Sequence, residues 1–537
     1  MPALPSTRPF TPPGPGTWKQ DAAHSPRPIT AWKFETFKDA FPRGFAEGTA
    51  RYGLLFSHLE PAVVNGFLYY RDALVDGAEV GQRFAAAEHA FENKVWRDDL
   101  DRWDREYKPD SIRRNRALEA TPMASLDTEA FLRHFDAVRD NASEMVYRHH
   151  IFSAGSVLPV GHYLANAAEW TGLDAGVLLA PLKGSSHVSL GSHDELREVG
   201  ARLVEAGVEP ASFEGMSAAD TLAALRERRD PLGAAVRAYL DSIGMRLAHG
   251  YDMCDACVIE LPEVLVGAIW ASRSETPRGD GEAAAAKVRD AVPAARRDEF
   301  DELLADARLV NRLRDERGLL NDMWGNGIAR QTLLEAGRRL VRDGVLDDAE
   351  LAVDATHAEL TSALRGNRSV TNEELRDRAE WRLHAPPAPL ILGPPPSPPP
   401  PPDGLPPHAR MAMRALGTAL DELFSDGKGP EGAVLNGKPV SPGVHVGRAR
   451  LIHSAADLNR VERGDVLVTI STSAAFNVVL PLLGAIVTDR GGQLSHAAIV
   501  AREYGIPAVV GTLTATTTVP DQARVEVDGT NGRVRLL

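Results

Sequence analysis

Cysteine is nearly missing from this chain: Cys254 and Cys257 are the only two in 537 residues. Two cysteines cannot build the framework of a small secreted disulfide domain, and their scarcity fits a reducing compartment, so a cytoplasmic protein is expected. As a lone Cys-x-x-Cys, with neither a second pair of ligands nor a thioredoxin-like strand setting, they do not amount to a zinc or redox centre, and no metal site is expected. Long apolar runs are missing as well. The longest, "AAFNVVLPLLGAIV", carries Asn477 and Pro481 and falls short of the ~20 residues a bilayer helix needs. The N-terminus, "MPALPSTRPFTPPGPG", is proline-rich and lacks a basic segment followed by an apolar one, so neither a signal peptide nor a membrane partner is expected. Excess basic charge is missing too: 60 Lys and Arg against 74 Asp and Glu leave a net charge of −14, which argues against binding nucleic acid through its phosphates. There is no G-x-x-x-x-G-K-[ST] loop to cradle a nucleotide, and no internal repeat of the length that marks a solenoid.

What is present is an ordinary globular composition, 43% hydrophobic and 25% charged, in a chain longer than the ~250–300 residues at which single cores stop growing, so several domains are expected. The clearest boundary is "HAPPAPLILGPPPSPPPPPDGLPPH", residues 384–408. Proline fixes φ and removes the amide donor, so this segment should stay outside helix and sheet and run as a stiff polyproline II spacer. Upstream, apolar residues recur at helical spacing. In "QTLLEAGRRLVRDG", Leu333, Leu334, Gly337, Leu340 and Val341 fall on one face, Arg338, Arg339 and Arg342 on the other, and Gly344 closes the helix. Downstream, "GVHVGRARLIH", "DVLVTI", "GAIVTD", "PAVVGT", "ARVEVDG" and "GRVRLL" are short, rich in Val and Ile, and bounded by Gly, Asp or Pro, as strands are. The expected organisation is a mostly helical domain over 1–383, a proline-rich linker over 384–408, a hinge helix within 409–431 ("ARMAMRALGTALDELF"), and a compact α/β domain over 432–537.

Within that last domain, "SHAAIVAREYG" lies between two strands and reads as a helix of about ten residues, giving a parallel strand–helix–strand crossover. Ser495 is its natural N-cap and His496 falls in its first turn, directly after the glycine pair Gly491 and Gly492. Glycine permits torsions and close approaches that any Cβ forbids. The free amides and the positive end of the helix dipole favour an anion here and disfavour an imidazolium. Neutral imidazole is the nucleophilic form, so the position suits a histidine that accepts a phosphoryl group. A capping or surface histidine would carry the same local sequence, and spacing alone does not separate the two.

The stretch "GGQLSHAAIVAREYGIPAVVGT" resembles the signature of the swivelling phosphohistidine domain of phosphoenolpyruvate-utilising enzymes, a family that includes pyruvate phosphate dikinase, phosphoenolpyruvate synthase, rifampicin phosphotransferase and phenylphosphate synthase. "LNGKPVSPGVHVGRARLI", "GDVLVTISTSAAFNVVLPLLGAIVTDRGG" and "VEVDGTNGRVRLL" resemble the flanking elements in the same order, so the likeness covers nearly all of 435–537. It implies a multidomain protein with a large, mostly α-helical substrate domain and a C-terminal α/β swivelling phosphohistidine domain. It also implies that His496 is the phosphocarrier, with Gly491, Gly492 and Ser495 shaping its loop and Arg502 a neighbour of the phosphate.

Three upstream stretches, "GTWKQDAAHSPRPIT", "YLDSIGMRLAHGYDMCDACVIELPEVL" and "NRLRDERGLLNDMWGNGIARQTLLEAGRRLVRDGVLDD", resemble the central part of rifampicin phosphotransferase-like proteins. By that likeness the helical domain binds a small hydroxyl-bearing acceptor, and Arg314 and Asp315 stand where the relatives carry an Arg-Glu pair; Gly318 occupies the position that is basic in them. Arg314 would hold phosphate oxygens and Asp315 would take the acceptor proton. His149, His150 and His162 are further candidates for a base, although each is more readily read as a core or surface histidine.

The family's phosphate donor is an ATP-grasp module or a phosphoenolpyruvate-binding barrel, and neither is legible in this sequence. A separate ATP-grasp subunit, bringing ATP and Mg2+, is therefore the expected partner, with no cofactor bound by this chain alone. Two other readings stay open: a binding or regulatory protein that retains the swivelling domain, and a phosphocarrier that serves another protein.

Overall fold

Asn65 and Gly66 separate two runs rich in β-branched and aromatic residues, and the chain doubles back there. Both have positive φ, 50° and 87°, the requirement of a two-residue hairpin turn whose twist matches its strands. The computed structural model describes residues 9–185, 191–273, 281–367, 370–396, 402–427, 429–431 and 434–537. The hairpin strands β2 (Phe56–Val64) and β3 (Phe67–Leu74) join β1 (Trp18–Gln20) and β4 (Ile391–Leu392) in a sheet of order β2-β3-β1-β4. β4 lies inside the proline-rich segment that was expected to stay out of any sheet. Ile391 and Leu392 keep their amides, and β4 is an edge strand, where proline neighbours are tolerated. The flanking prolines also serve as acceptors, since proline loses only its donor: Tyr69 Oη donates to Pro389 O at 2.8 Å and Thr17 Oγ1 to Pro394 O at 2.8 Å. The densest proline run, 397–401, lies outside the described residues.

The chain divides into two compact units, one made of residues 1–155, 251–255 and 317–413, the other of 156–250, 256–316 and 414–537. The helical segment expected over 1–383 is thus shared between them. Three of the crossings fall within helices, Ser153–Thr171, Arg297–Arg317 and Pro407–Phe424, where no change of composition marks a boundary.

The first unit is built around long helices such as Thr128–Ile151 and Trp324–Arg342. In the latter, Leu333 and Leu340 are buried as expected, but Val341 is exposed and Arg339 is buried. Arg339 is accommodated by Glu335 Oε1 at 3.1 Å and by the carbonyls of Met123 and Leu126. A buried guanidinium persists only when paired in this way.

The second unit holds a nine-stranded sheet. Its strands are β5 (Gly429–Glu431), β6 (Val434–Asn436), β7 (Lys438–Ser441), β8 (Val444–Ile452), β9 (Asp465–Thr469), β10 (Leu483–Thr488), β11 (Ala508–Val510), β12 (Arg524–Asp528) and β13 (Arg533–Leu536), in the order β5-β6-β13-β12-β8-β9-β10-β11-β7. The four central strands, β8 to β11, are parallel and the flanking pairs antiparallel. All six strands read from the sequence are present, and helix His496–Tyr504 makes the β10-to-β11 crossover. β9 is buried along its whole length, as a parallel strand covered on both faces must be. Alternation then sorts its side chains. Val466 and Val468 join Ala485, Val487, Val509, Ala515 and Val519 on one face. Leu467 joins Ile486, Ala508, Ala497, Ala498 and Ala501 on the other, in one apolar cluster with residues of helices Gly191–Glu205, Ala218–Glu227, Pro231–Ile243 and Pro262–Ala271. The small side chains on the histidine-bearing helix let it lie close to the sheet.

Leu467 is fully buried in that shared cluster. We predict that Leu467→Ala costs about 2–5 kcal/mol, the transfer and cavity loss of a core leucine, seen as a lower urea midpoint. An unchanged midpoint would contradict the assignment of this face to the core.

Candidate functional site

Two loops leave the C-terminal ends of neighbouring parallel strands, the one after β9 and the one after β10, which is where open α/β sheets place their sites. The β10 loop carries the glycine pair and His496; the β9 loop carries Thr472. Helix His496–Tyr504 starts at Ser495, whose extended backbone and Oγ cap it by accepting the Ala498 amide at 3.4 Å, and it ends at Gly505 in the left-handed conformation. Pro507 follows. The amides of His496 and Ala497 lie ahead of any acceptor within the helix and are free by geometry to meet an anion.

The loop is set by backbone, which explains its glycines. Gly491 has φ 117°, a left-handed value that strains any other residue. A Cβ on Gly492 would lie 2.3 Å from the carbonyl oxygen of Glu422. That close approach lets Gly492 N donate to Leu423 O at 3.0 Å and Leu494 N to Glu422 O at 2.8 Å, so the end of helix Pro407–Phe424 holds the loop directly. Asp426, just past that helix, accepts from Gly491 N at 3.0 Å and from Arg490 at 2.8 Å.

His496 is partly buried, and Thr472 Oγ1 lies 3.0 Å from its Nδ1. A threonine hydroxyl can donate or accept. With Nδ1–H donating to it, the lone pair sits on Nε2, and this tautomer is the one that leaves Nε2 nucleophilic. Burial pushes the imidazole down to about 4, Asp315 opposes that shift and Arg314 adds to it. The ring is therefore neutral at physiological pH, as a nucleophile must be. The same dependence places Arg314 and Asp315, both at the C-terminal end of helix Arg297–Arg317, within electrostatic range of His496. The structure thus brings together His496, Arg314, Asp315, Gly491, Gly492 and Ser495 in the second unit.

Arg502, expected beside a phosphate, spends two nitrogens on the loop: Nη1 donates to Gln493 Oε1 at 3.2 Å and to Val440 O at 3.3 Å, and Nη2 to Gln493 O. It braces the loop from behind while adding positive charge, and burial lowers it to about 10. Its neighbour Glu503 is buried, accepts the Gly184 amide through Oε1 at 3.0 Å and Oε2 at 2.9 Å, and is raised to about 7 by burial, with Asp315 adding to the shift. Sequence reading found neither Thr472 nor Glu503. The rule that sites gather where parallel strands end would have pointed to Thr472; no local signal marks Glu503, whose partner is 319 positions away.

The remaining candidates lie elsewhere. His162, in helix Ser153–Thr171, has Asn166 Nδ2 3.2 Å from its Nδ1 and is lowered to about 4 by burial and by Arg414. The other charges acting on it, Glu299 and Asp306, are not those acting on His496. His149 belongs to the first unit, where its Nδ1 is 2.7 Å from Asp322 Oδ2. Both cysteines are free thiols. Among the described residues no helix is long and apolar enough to cross a membrane.

Residues 461–532 match the family model of the PEP-utilising enzyme mobile domain. The chain is 30% identical to a rifampicin phosphotransferase of Streptomyces sviceus over 414 residues, 69% of this chain and 42% of that protein. It is 48% identical to a probable phosphoenolpyruvate synthase of Pyrococcus abyssi over 101 residues, 19% of this chain and 12% of that one. With an uncharacterized phosphotransferase of Bacillus subtilis, YvkC, it shares 31% identity over 244 residues, 45% of this chain and 27% of the relative. The chain spans less than half the length of each of these proteins.

A histidine whose value is depressed in the folded state is neutral there while the unfolded chain takes a proton, so its contribution to stability is lost as pH falls from the ordinary 6.5 toward about 4. We expect the His496 Cε1–H resonance to stay put between pH 5.5 and 8 and to move only near about 4. A midpoint near 6.5 would contradict the buried, neutral ring.

Proposed function

We propose that this chain, a relative of the rifampicin phosphotransferases that carries the mobile domain of the PEP-utilising enzymes, relays a phosphoryl group through His496. One observation carries the proposal: a neutral imidazole with Nδ1 against Thr472, at a capped helix start, with Arg314 and Asp315 within electrostatic reach.

In the first step the Nε2 lone pair attacks the donor phosphorus, the bond from phosphorus to the leaving oxygen breaks, and a P–N bond forms. Nδ1–H keeps its place on Thr472 before and after, so no proton has to move on the ring. The first-turn amides and Arg314 stabilise the charge on the phosphoryl oxygens, a positioning and electrostatic task typical of phosphoryl transfer. In the second step an acceptor hydroxyl attacks phosphorus, the P–N bond returns its electron pair to Nε2, and the hydroxyl proton passes to a base.

The donor in this proposal is an ATP-grasp protein that splits ATP into AMP and phosphate with Mg2+, so the sum is ATP, acceptor and water giving phosphorylated acceptor, AMP and phosphate. The acceptor is a small molecule bearing a hydroxyl group. Support for a phosphotransferase comes from the similarity to the rifampicin phosphotransferase and to YvkC. The separate donor subunit and the acceptor class are our own extension.

Incubation with β-labelled ATP and an ATP-grasp protein should label wild type with an acid-labile, alkali-stable phosphate, and His496→Ala should take up none. Label that survives His496→Ala would contradict the relay. Phosphorylation of an acceptor by this chain and ATP alone would contradict the separate donor.

A further inference from the structure

The helix that begins at His496 carries a second polar residue on the same face. Glu503 follows His496 by two helical turns, so the two side chains leave one side of helix His496–Tyr504 roughly 10 Å apart along its axis. A glutamate at the C-terminal end of a helix ordinarily lies in water, because the partial negative charge there disfavours a carboxylate. Glu503 is instead buried, and both its oxygens accept the one amide of Gly184, at 3.0 and 2.9 Å.

The amide it meets is held in place. Gly184 has φ 82° and closes the turn that follows Ala180–Leu182. Helix Arg297–Arg317 braces that turn twice. Arg308 Nε donates to Pro181 O at 2.9 Å, and Asn311 Nδ2 donates at 2.9 Å to Ser185 Oγ, which itself donates to Leu182 O at 2.6 Å. Gly281 closes the turn from a third side: its amide donates to Lys183 O at 3.1 Å, and a Cβ on it would stand 2.3 Å from Pro181 O. The void left beside Glu503, Ile499, Asn311 and Leu182 is about 10 Å³, barely the room one water needs. Arg308 and Asn311 precede Arg314 and Asp315 on the same helix by less than two turns. The helix that supplies the charges around His496 therefore also fixes the amide that holds the far end of the histidine's own helix.

We propose that Glu503 is a positioning residue: by accepting the Gly184 amide it sets the register of the His496 helix against helix Arg297–Arg317, so that the imidazole faces the field of Arg314 and Asp315. The assignment rests on the phosphoryl relay and names the contact that seats the carrier histidine for it. Glu503 itself acts through the helix and not on the phosphoryl group. The anchor is strong in geometry and weak in net energy. Burial raises Glu503 to about 7; the Gly184 amide opposes the shift, Asp315 adds to it, and Lys183 and Arg502 oppose it. A carboxyl group raised in this way is favoured in its buried place below its ordinary 4.5, and that favour is lost as pH rises through about 7. At neutral pH the contact is therefore near balance, made by a bifurcated hydrogen bond and opposed by the cost of a buried charge, which fits a seat that a carrier has to leave.

The test uses the full chain with ¹³C-labelled histidine and reads the titration of the His496 Cε1–H resonance, which burial, Asp315 and Arg314 govern. Wild type should titrate near about 4. Glu503→Ala leaves the Gly184 amide unanswered and should move the midpoint toward the ordinary 6.5 by about one pH unit or more, as the ring loses its burial. Glu503→Gln keeps a neutral acceptor oxygen, as the protonated glutamate does, and should return the midpoint to near 4. An unchanged midpoint in Glu503→Ala, or a Gln variant that behaves like the Ala variant, would overturn the assignment. Arg308→Ala loosens the turn from its other side with Glu503 intact and should shift the midpoint in the same direction. Should Glu503→Ala fail to fold by circular dichroism, a shift in Arg308→Ala with none in Glu503→Gln supports the anchor, and no shift in Arg308→Ala overturns it. The gain of Glu503→Gln over wild type in urea midpoint should grow between pH 5 and 8, which a packing effect alone would not produce; a difference constant with pH would contradict a carboxylate buried at this contact. Phosphoramidate treatment of the same samples reports the relay separately. Wild type that takes up no acid-labile phosphate on His496 overturns the relay, while the midpoints still decide the anchor.

Discussion

Everything at the site depends on an imidazole that is neutral and occupied on one side. Burial makes the charged ring costly, and in the tautomer whose Nδ1–H donates to Thr472 the lone pair is left on Nε2. A fully exposed ring would be partly protonated near neutrality and would share its reactivity between two nitrogens. A fully buried ring could meet no donor. The partial burial of His496 satisfies both requirements, and it is set by where two strand-end loops of one parallel sheet come together rather than by any residue adjacent in sequence.

The loop geometry that holds this ring is transmitted by backbone. Gly492 can approach the last turn of helix Pro407–Phe424 because it has no Cβ, and two amides of the loop then donate to carbonyls of that helix. Asp426 ties down Gly491 and Arg490 just beyond the helix end, and Arg502 ties Gln493 to Val440. The helix preceding the domain is therefore part of the site's frame as well as a connection. Within the same unit, the apolar side of the sheet and the alanines of the histidine-bearing helix share one core with four helices from the middle of the chain. A domain whose relatives are called mobile is here set into a well-packed surface, and a phosphoryl carrier that leaves it must give up that burial.

The parts of this architecture legible in the sequence are those written in local patterns. Six of the nine strands of the sheet, the Ser495 cap, the Gly505 terminus and the glycine pair each follow from propensity, capping or steric rules acting over a few residues. The Asn65-Gly66 hairpin obeys an equally local rule but was hidden within a region whose spacing is otherwise helical. Other features depend on partners far apart in the chain. Thr472 reaches His496 across 24 positions, Glu503 meets Gly184 across 319, and Asp322 meets His149 from another helix. The spacing puts Arg339 on the solvent face, where a guanidinium normally lies, and its burial is made tolerable by Glu335 together with the carbonyls of Met123 and Leu126, more than 200 positions away. The proline-rich segment misled for a related reason: proline forbids donation but not acceptance, and the carbonyls of Pro389 and Pro394 are used. The division into units leaves no local mark in the sequence because most of its crossings fall inside helices.

The central claim is that His496 carries phosphate on one defined nitrogen. Phosphorus–nitrogen correlation NMR of the phosphorylated, ¹⁵N-histidine-labelled protein distinguishes the two ring positions directly. The account predicts a single species with phosphorus on Nε2 of His496 and a protonated Nδ1 still hydrogen-bonded to Thr472. Phosphorus on Nδ1, or a mixture of both isomers, would contradict it.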